Sequence, residues 1–261
     1  MNRDVPNVPA APPPTGFFAV LHGSALIFAM CFPAVMAWLY FVVLAQPMRE
    51  TGRPSAAALA AYLAGKVIQF GFPIFWLLRV ERRRLRPAVP SFQGLSIGLV
   101  FGIAVTALIL GTYHGLLKNS PILADLPGRI RDKLILFHAQ TPGRYLGLAV
   151  FLAGFHSLME EYYWRWFVFG ELRRRLPVAL AIALSALAFM AHHVIVLAVY
   201  LPQHFFAAAL PFALCVAAGG AMWAWLYHRT GTIYSSWISH LVIDAAILTV
   251  GYELVFGPAT G

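Results

Sequence analysis

The sequence predicts an all-α fold, a polytopic transmembrane helical bundle of about seven to eight membrane spans with one interfacial amphipathic helix. Three observations predict it. Of the 261 residues, 60% are hydrophobic and only 11% are charged, against about 25% charged in an ordinary soluble domain. Mean hydropathy is +0.73. Apolar runs of roughly 20 residues, the length that crosses a ~30 Å hydrocarbon core, recur along the whole chain.

Taken in order, residues 1–16 contain the proline-rich stretch VPNVPAAPPP, which cannot hold a helix and is expected to be a short disordered tail. It precedes the first apolar run and has no small-residue cleavage site, so it does not resemble a signal peptide. Seven apolar spans follow, at 17–45, 56–79, 93–116, 144–170, 178–201, 204–228 and 232–256. The first is long enough to be two segments, which would make an eighth crossing. The third carries Gly94, Gly98 and Gly102, a spacing that lets helices approach closely but that is also common by chance in apolar sequence. Between the third and fourth spans, LADLPGRIRDKLILFHA mixes Leu, Ile and Phe with Arg, Lys and Asp. It is expected to lie in the membrane interface. The domain division expected is a tail over 1–16, N-terminal spans and the interfacial helix over 17–143, and a membrane core over 144–256.

The formal net charge of +9 could serve nucleic acid or membrane orientation. Its distribution favours orientation. Arg79, Arg82, Arg83, Arg84 and Arg86 follow the second span, Arg173, Arg174 and Arg175 the fourth, and Arg229 the sixth. These dense clusters share one side, which the positive-inside rule makes cytoplasmic together with the N-terminus. No nucleic-acid partner is expected; the expected surroundings are a lipid bilayer. The two cysteines, Cys31 and Cys215, both lie in apolar runs and form no metal-type spacing or disulfide framework.

Acids at membrane depth are few: Glu160, Glu161 and Asp244. Ionisable groups there cost several kcal/mol each and mark function. His193 and His240 also fall deep within spans. Counting at 1.5 Å per residue places Glu160, His193, His240 and Asp244 roughly 12–22 Å from the basic side, so all four can meet at one level. Glu161 and Arg165 are four apart and can form an ion pair on one helix face. Glu160 is turned about 100° away and is free for another partner. His240 and Asp244 are also four apart, and a neighbouring carboxylate commonly fixes a histidine tautomer. A carboxylate with histidines in a partly dry cavity can activate water or hold a metal with an open position.

Three motifs carry a family resemblance. EEYYWR (Glu160, Glu161, Arg165) fits E-E-x-x-x-R, FMAHH (Phe189, His193) fits F-x-x-x-H, and HLVID (His240, Asp244) fits H-x-x-x-[N/D]. In this order, on separate apolar spans, they resemble the CPBP intramembrane proteases, which include CAAX prenyl endopeptidases and bacteriocin-processing or immunity proteins. The resemblance covers residues 160–244. It implies an intramembrane endopeptidase that cleaves a membrane protein or lipidated peptide substrate near its C-terminus, in a bacterial cytoplasmic (inner) membrane. It implies Glu160 as the base that activates water with His193, and Glu161 and Arg165 as a supporting pair. His240 and Asp244 would stabilise the oxyanion or share in metal coordination. Members have been described both as metalloproteases and as glutamate-dependent enzymes; in the metal form a divalent ion such as zinc (Zn) would rest on Glu160, His193 and His240. His192 beside His193 leaves the histidine assignment resting on the Phe189 spacing. His156, one turn before Glu160 on the same face, is either an extra polar group of the cavity or a bystander.

Two other function classes compete. A non-catalytic scaffold or immunity protein would bind a peptide in the same cavity. A proton-coupled transporter would show repeated halves with broken helices. Pro33, Pro73 and Pro211 interrupt spans without matching register. No H-E-x-x-H, G-x-G-D or G-x-S-G occurs, which sets aside the helical zinc-protease, aspartyl and rhomboid-type motifs.

Overall fold

The structure is a computed structural model that describes residues 17–44, 56–83 and 89–258. The proline-rich tail lies outside the described residues. Among those residues, eight helices account for the fold. α1 is Phe17–Trp38, widening into a π-helical turn over Leu39–Val43. α2 is Ala56–Phe75, extended by Trp76–Val80. α3 is Phe92–Thr112, extended by Tyr113–Leu117. α4, Leu126–Leu136, is the helix within the amphipathic segment. α5 runs without a break over residues 142–172. α6 is Val178–Tyr200, α7 is Leu210–Thr230 and α8 is Ile233–Phe256. The first apolar run is one helix, so the extra crossing that two segments would make does not occur among these residues.

Six of these helices are long and apolar enough to cross a membrane. The seventh expected span, α5, stands apart from them because it carries Glu160, Glu161 and Arg165 in its middle. The outward-facing side chains explain what surrounds the bundle. Val67, Val100 and Leu108 are 73%, 68% and 68% exposed, and so many large apolar groups facing outward from several helices fit a hydrocarbon surround, not water.

Element ends follow local chemistry. Ser91 caps α3 by accepting from the Gly94 N–H at 3.1 Å, and Thr232 caps α8 by accepting from Tyr234 at 3.2 Å, each satisfying one orphan donor. Gly231 ends α7 at φ 71°, a left-handed position where glycine carries no Cβ penalty. The turn into α8 is therefore only two residues long.

α5 is the hub. Tyr163, Trp164, Arg165, Phe167, Val168 and Phe169 are all buried. Its polar atoms clasp its neighbours' backbones: Tyr163 Oη donates to Ala29 O of α1 at 2.8 Å, and Tyr162 Oη to Phe70 O of α2 at 3.1 Å. Trp237 Nε1 of α8 donates to Gly154 O at 3.0 Å. α6 pairs with α7 and α1, and α8 pairs most extensively with α3. That last pairing uses the glycine spacing. A Cβ on Gly98 would fall on the Ser235 carbonyl, and one on Gly102 would lie 3.1 Å from Ser239 Cα. The two backbones touch because no side chain stands between them.

At the basic end, Arg83 Nη1 bridges Glu81 (2.9 Å) and Glu171 (3.0 Å). Arg174 reaches Glu81 and Glu171 at 3.3 and 3.2 Å, and Arg175 lies 2.7 Å from Glu171. The ends of α2 and α5 are thereby tied at one level. Both cysteines are free and exposed.

Candidate functional site

The centre of the site is a short α-helical piece of α5, Ser157–Glu161, set between π-helical stretches at Phe151–His156 and Tyr162–Phe169. Such insertions change the angular register of side chains and occur often at functional sites. They place the two adjacent glutamates, both buried, against different partners.

Glu161 is 0% exposed. Its Oε1 lies 3.1 Å from Arg165 Nη1, as the four-residue spacing suggests, and the same oxygen accepts from His240 Nδ1 at 2.8 Å. The Arg165 contact is an ion pair rather than a directed hydrogen bond. The guanidinium is held mainly by rings, 4.5 Å from the Phe189 centroid and 4.9 Å from that of Trp223, two cation–π contacts from rings that meet nearly at right angles. Glu161 thus serves two groups on different helices.

His240 is stacked on Trp223 at 4.0 Å with 18° between the planes. Because a carboxylate can only accept, Nδ1 carries a proton toward Glu161, and Nε2 faces the other side. There it meets Glu160 Oε2 at 3.7 Å and Asp244 Oδ1 at 3.6 Å. The local sequence spacing singled out Asp244 as the carboxylate that orients His240. In the fold, Glu161 from another helix makes the shorter contact.

Glu160 Oε1 lies 3.6 Å from His156 Nε2 and 3.7 Å from His192 Nε2. With His240, three histidine nitrogens surround one carboxylate, at separations longer than a direct hydrogen bond. Among the described residues His193 is not within 4.0 Å of Glu160. Its Nδ1 donates to Phe189 O at 3.0 Å, the carbonyl one helical turn back, so the F-x-x-x-H spacing corresponds to a bond that orients the ring. Its neighbour His192 stacks on Trp164 at 5.8 Å with 5° between planes, and its Nδ1 is buried without a hydrogen-bond partner. Glu160, Glu161, Arg165, His240 and Asp244 therefore converge as a group. His193 sits beside them, its ring 4.1 Å from His192, while His156 and His192 take the places next to Glu160.

Sequence reasoning passed over one group. Lys66 of α2 stands near this cluster: its Nζ lies 5.3 Å from the Phe70 ring, which meets the His156 ring at 6.3 Å. A lone lysine in the second apolar run is the signal that the sequence offers for it.

The residues do not fit a metal ion as they are placed. Among the described residues, no three His, Cys, Asp or Glu side chains form a group that could hold one. Of the three candidate ligands, His193 is directed to a backbone carbonyl.

A bundle with six helices long and apolar enough to cross a membrane thus holds, at its core, one glutamate flanked by three histidine nitrogens and a second glutamate bonded to one of those rings. Residues 142–246 match the family model of the Rce1-like type II CAAX prenyl endopeptidases, within the CPBP family that the three motifs resemble. The matched stretch spans α5 through most of α8 and includes every site residue named above except Lys66. Comparison with curated proteins and with solved structures gives no match.

Proposed function

We propose that the chain is an intramembrane endopeptidase that hydrolyses a peptide bond near the C-terminus of a membrane-associated or lipidated protein, with Glu160 activating the attacking water. The observation that carries this reading is the Glu160 carboxylate with histidine Nε2 atoms at 3.6, 3.7 and 3.7 Å. A water at about 2.8 Å from both Glu160 and a histidine nitrogen forms the apex of a triangle on that pair. Glu160 takes one proton from the water as its oxygen bonds to the scissile carbonyl carbon. Charge then develops on the carbonyl oxygen. His240, surrounded by Glu160, Glu161 and Asp244, can present Nε2–H to that oxyanion when its ring is doubly protonated. Glu160 returns the proton to the departing amine as the carbon–nitrogen bond breaks. His193 Nε2 is a second acceptor in the cavity, since its Nδ1 is committed to Phe189 O.

The dense arginines at the ends of α2 and α5 support a cytoplasmic N-terminus, and a bacterial inner membrane is the setting that the family resemblance implies. The test is cleavage of a prenylated CAAX peptide by purified protein in proteoliposomes. Glu160→Gln is expected to lower kcat by about 10²–10⁴-fold, the usual contribution of a general base, while the protein still inserts and purifies as wild type. A Glu160→Gln variant with wild-type rate sinks the assignment. A chelator arm with elemental analysis asks whether an ion supplies additional activation.

A further inference from the structure

Lys66 sits in the middle of α2, where a charged group needs a reason. Arg83 bridges Glu81 and Glu171 and so fixes a common level for the ends of α2 and α5. From that level Lys66 is 15 residues back along α2 and Glu160 is 11 residues back along α5. At 1.5 Å per residue these are roughly 22 and 17 Å, so the lysine lies about one turn deeper than the glutamate. Its ammonium does not escape to an interface. It is held over the rings of Tyr62 and Phe70, 5.8 and 5.3 Å from their centroids, and donates to the buried Gln69 Oε1 at 3.4 Å.

Among the described residues, no carboxylate lies within 4.0 Å of Lys66 Nζ. Lys66 connects to the site through one ring: Phe70 packs against both the lysine and His156, and His156 faces Glu160. An ammonium held by two ring faces and one amide oxygen, with no carboxylate beside it among the described residues, suits an anionic partner. A water-poor surround strengthens such a charge-assisted bond.

The geometry points to Lys66 as the anchor for the C-terminal carboxylate of the peptide substrate, a binding subsite one turn beyond the hydrolytic centre. This rests on the endopeptidase reading above. Extended peptide covers about 3.3–3.6 Å per residue, so about two residues cover the ~5 Å difference in depth between the carboxylate at Lys66 and a scissile carbonyl at Glu160. The enzyme would then measure its cut from the free chain end, in the manner of other terminal-carboxylate recognition sites.

The experiment uses two farnesylated probes ending in Cys-Ile-Ile-Ser, a C-a-a-X sequence. One has a free carboxylate and the other a C-terminal amide. Binding is measured to the Glu160→Gln protein in nanodiscs, which needs no turnover, and cleavage is measured with the unmodified chain. The carboxylate probe is expected to bind at least tenfold more tightly than the amide. Adding Lys66→Met should erase that ratio while leaving amide binding in place, and Lys66→Arg should keep it. Equal binding of the two probes to the lysine-bearing protein overturns the proposal without reference to any variant. So does a ratio that survives Lys66→Met. Failure of the endopeptidase reading looks different: neither probe is cleaved, whatever the binding ratio.

Discussion

At the scale of single residues, Glu161 carries the most consequence for its size. It answers Arg165 and His240 at once, so one substitution disturbs two helices. Glu161→Gln leaves a buried guanidinium without its counter-charge. Removing one member of a buried pair typically costs about 3–5 kcal/mol. The expected outcome is a clear drop in the thermal midpoint in detergent, together with a fall in kcat from a misoriented His240. An unchanged midpoint with full activity would show that Glu161 is neither counter-charge nor orienter. The sequence exposed part of this arrangement. Residues four apart on one helix lie on one face, so the Glu161–Arg165 contact was legible. Its bond to His240 was not, because no local rule says how α5 and α8 are turned toward each other. The same gap separates His192 from His193: a motif spacing selects the ring tied to Phe189, while helix packing selects which ring meets Glu160.

At the scale of elements, the seam between α3 and α8 sets the position of the helix that bears His240 and Asp244. Gly94, Gly98 and Gly102 were visible in the sequence, but their spacing alone could not distinguish a packing face from chance. Backbone proximity decides it, since any side chain at Gly98 meets the Ser235 carbonyl. Gly98→Leu is expected to force the helices apart at a cost of about 1–3 kcal/mol or more and to lower activity through displacement of His240. A thermal melt paired with the peptide assay checks this. Gly111→Leu, where an added Cβ meets nothing within 4 Å, is the control and should behave as wild type. Helix ends were the most legible feature at this scale. The seven apolar spans fall within a few residues of the observed helices, since length and hydropathy are local properties and bilayer thickness fixes both.

For the whole molecule, the carboxylate–arginine network at the basic end couples α1, α2 and α5. Glu81 also lies 3.3 Å from His22 of α1. Burial pushes the Glu81 carboxyl upward, but the Arg83 hydrogen bond and the charges of Arg174 and Arg83 outweigh it and hold it below its ordinary 4.5. A lowered folded-state value means that the stabilisation is complete above about pH 4.5 and fades as pH falls through the lowered value. Thermal midpoints should therefore be flat from pH 7 to 5 and decline in more acid buffer. Glu81→Gln should be less stable at pH 7 and show a weaker acid decline. The effect is modest, because Arg83 and Arg174 are 45% and 37% exposed and salt screens them. An identical acid decline in both proteins would assign it to other groups. This network was not legible in sequence, where the same arginines serve equally well as orientation signals.

The α3–α8 seam has a further bearing on traffic. A lipidated protein keeps its hydrocarbon stem in the bilayer while its peptide seeks the interior, so some wall must part sideways. Two helices pressed backbone to backbone cannot part without breaking their contact. α2 is different: it packs chiefly on α1 and α5, presents Leu63 and Val67 outward at 54% and 73% exposure, and carries Pro73 within it. On the endopeptidase reading, the closed α3–α8 seam is not the wall that parts, whereas α2, which bears Lys66, is held by far less extensive packing.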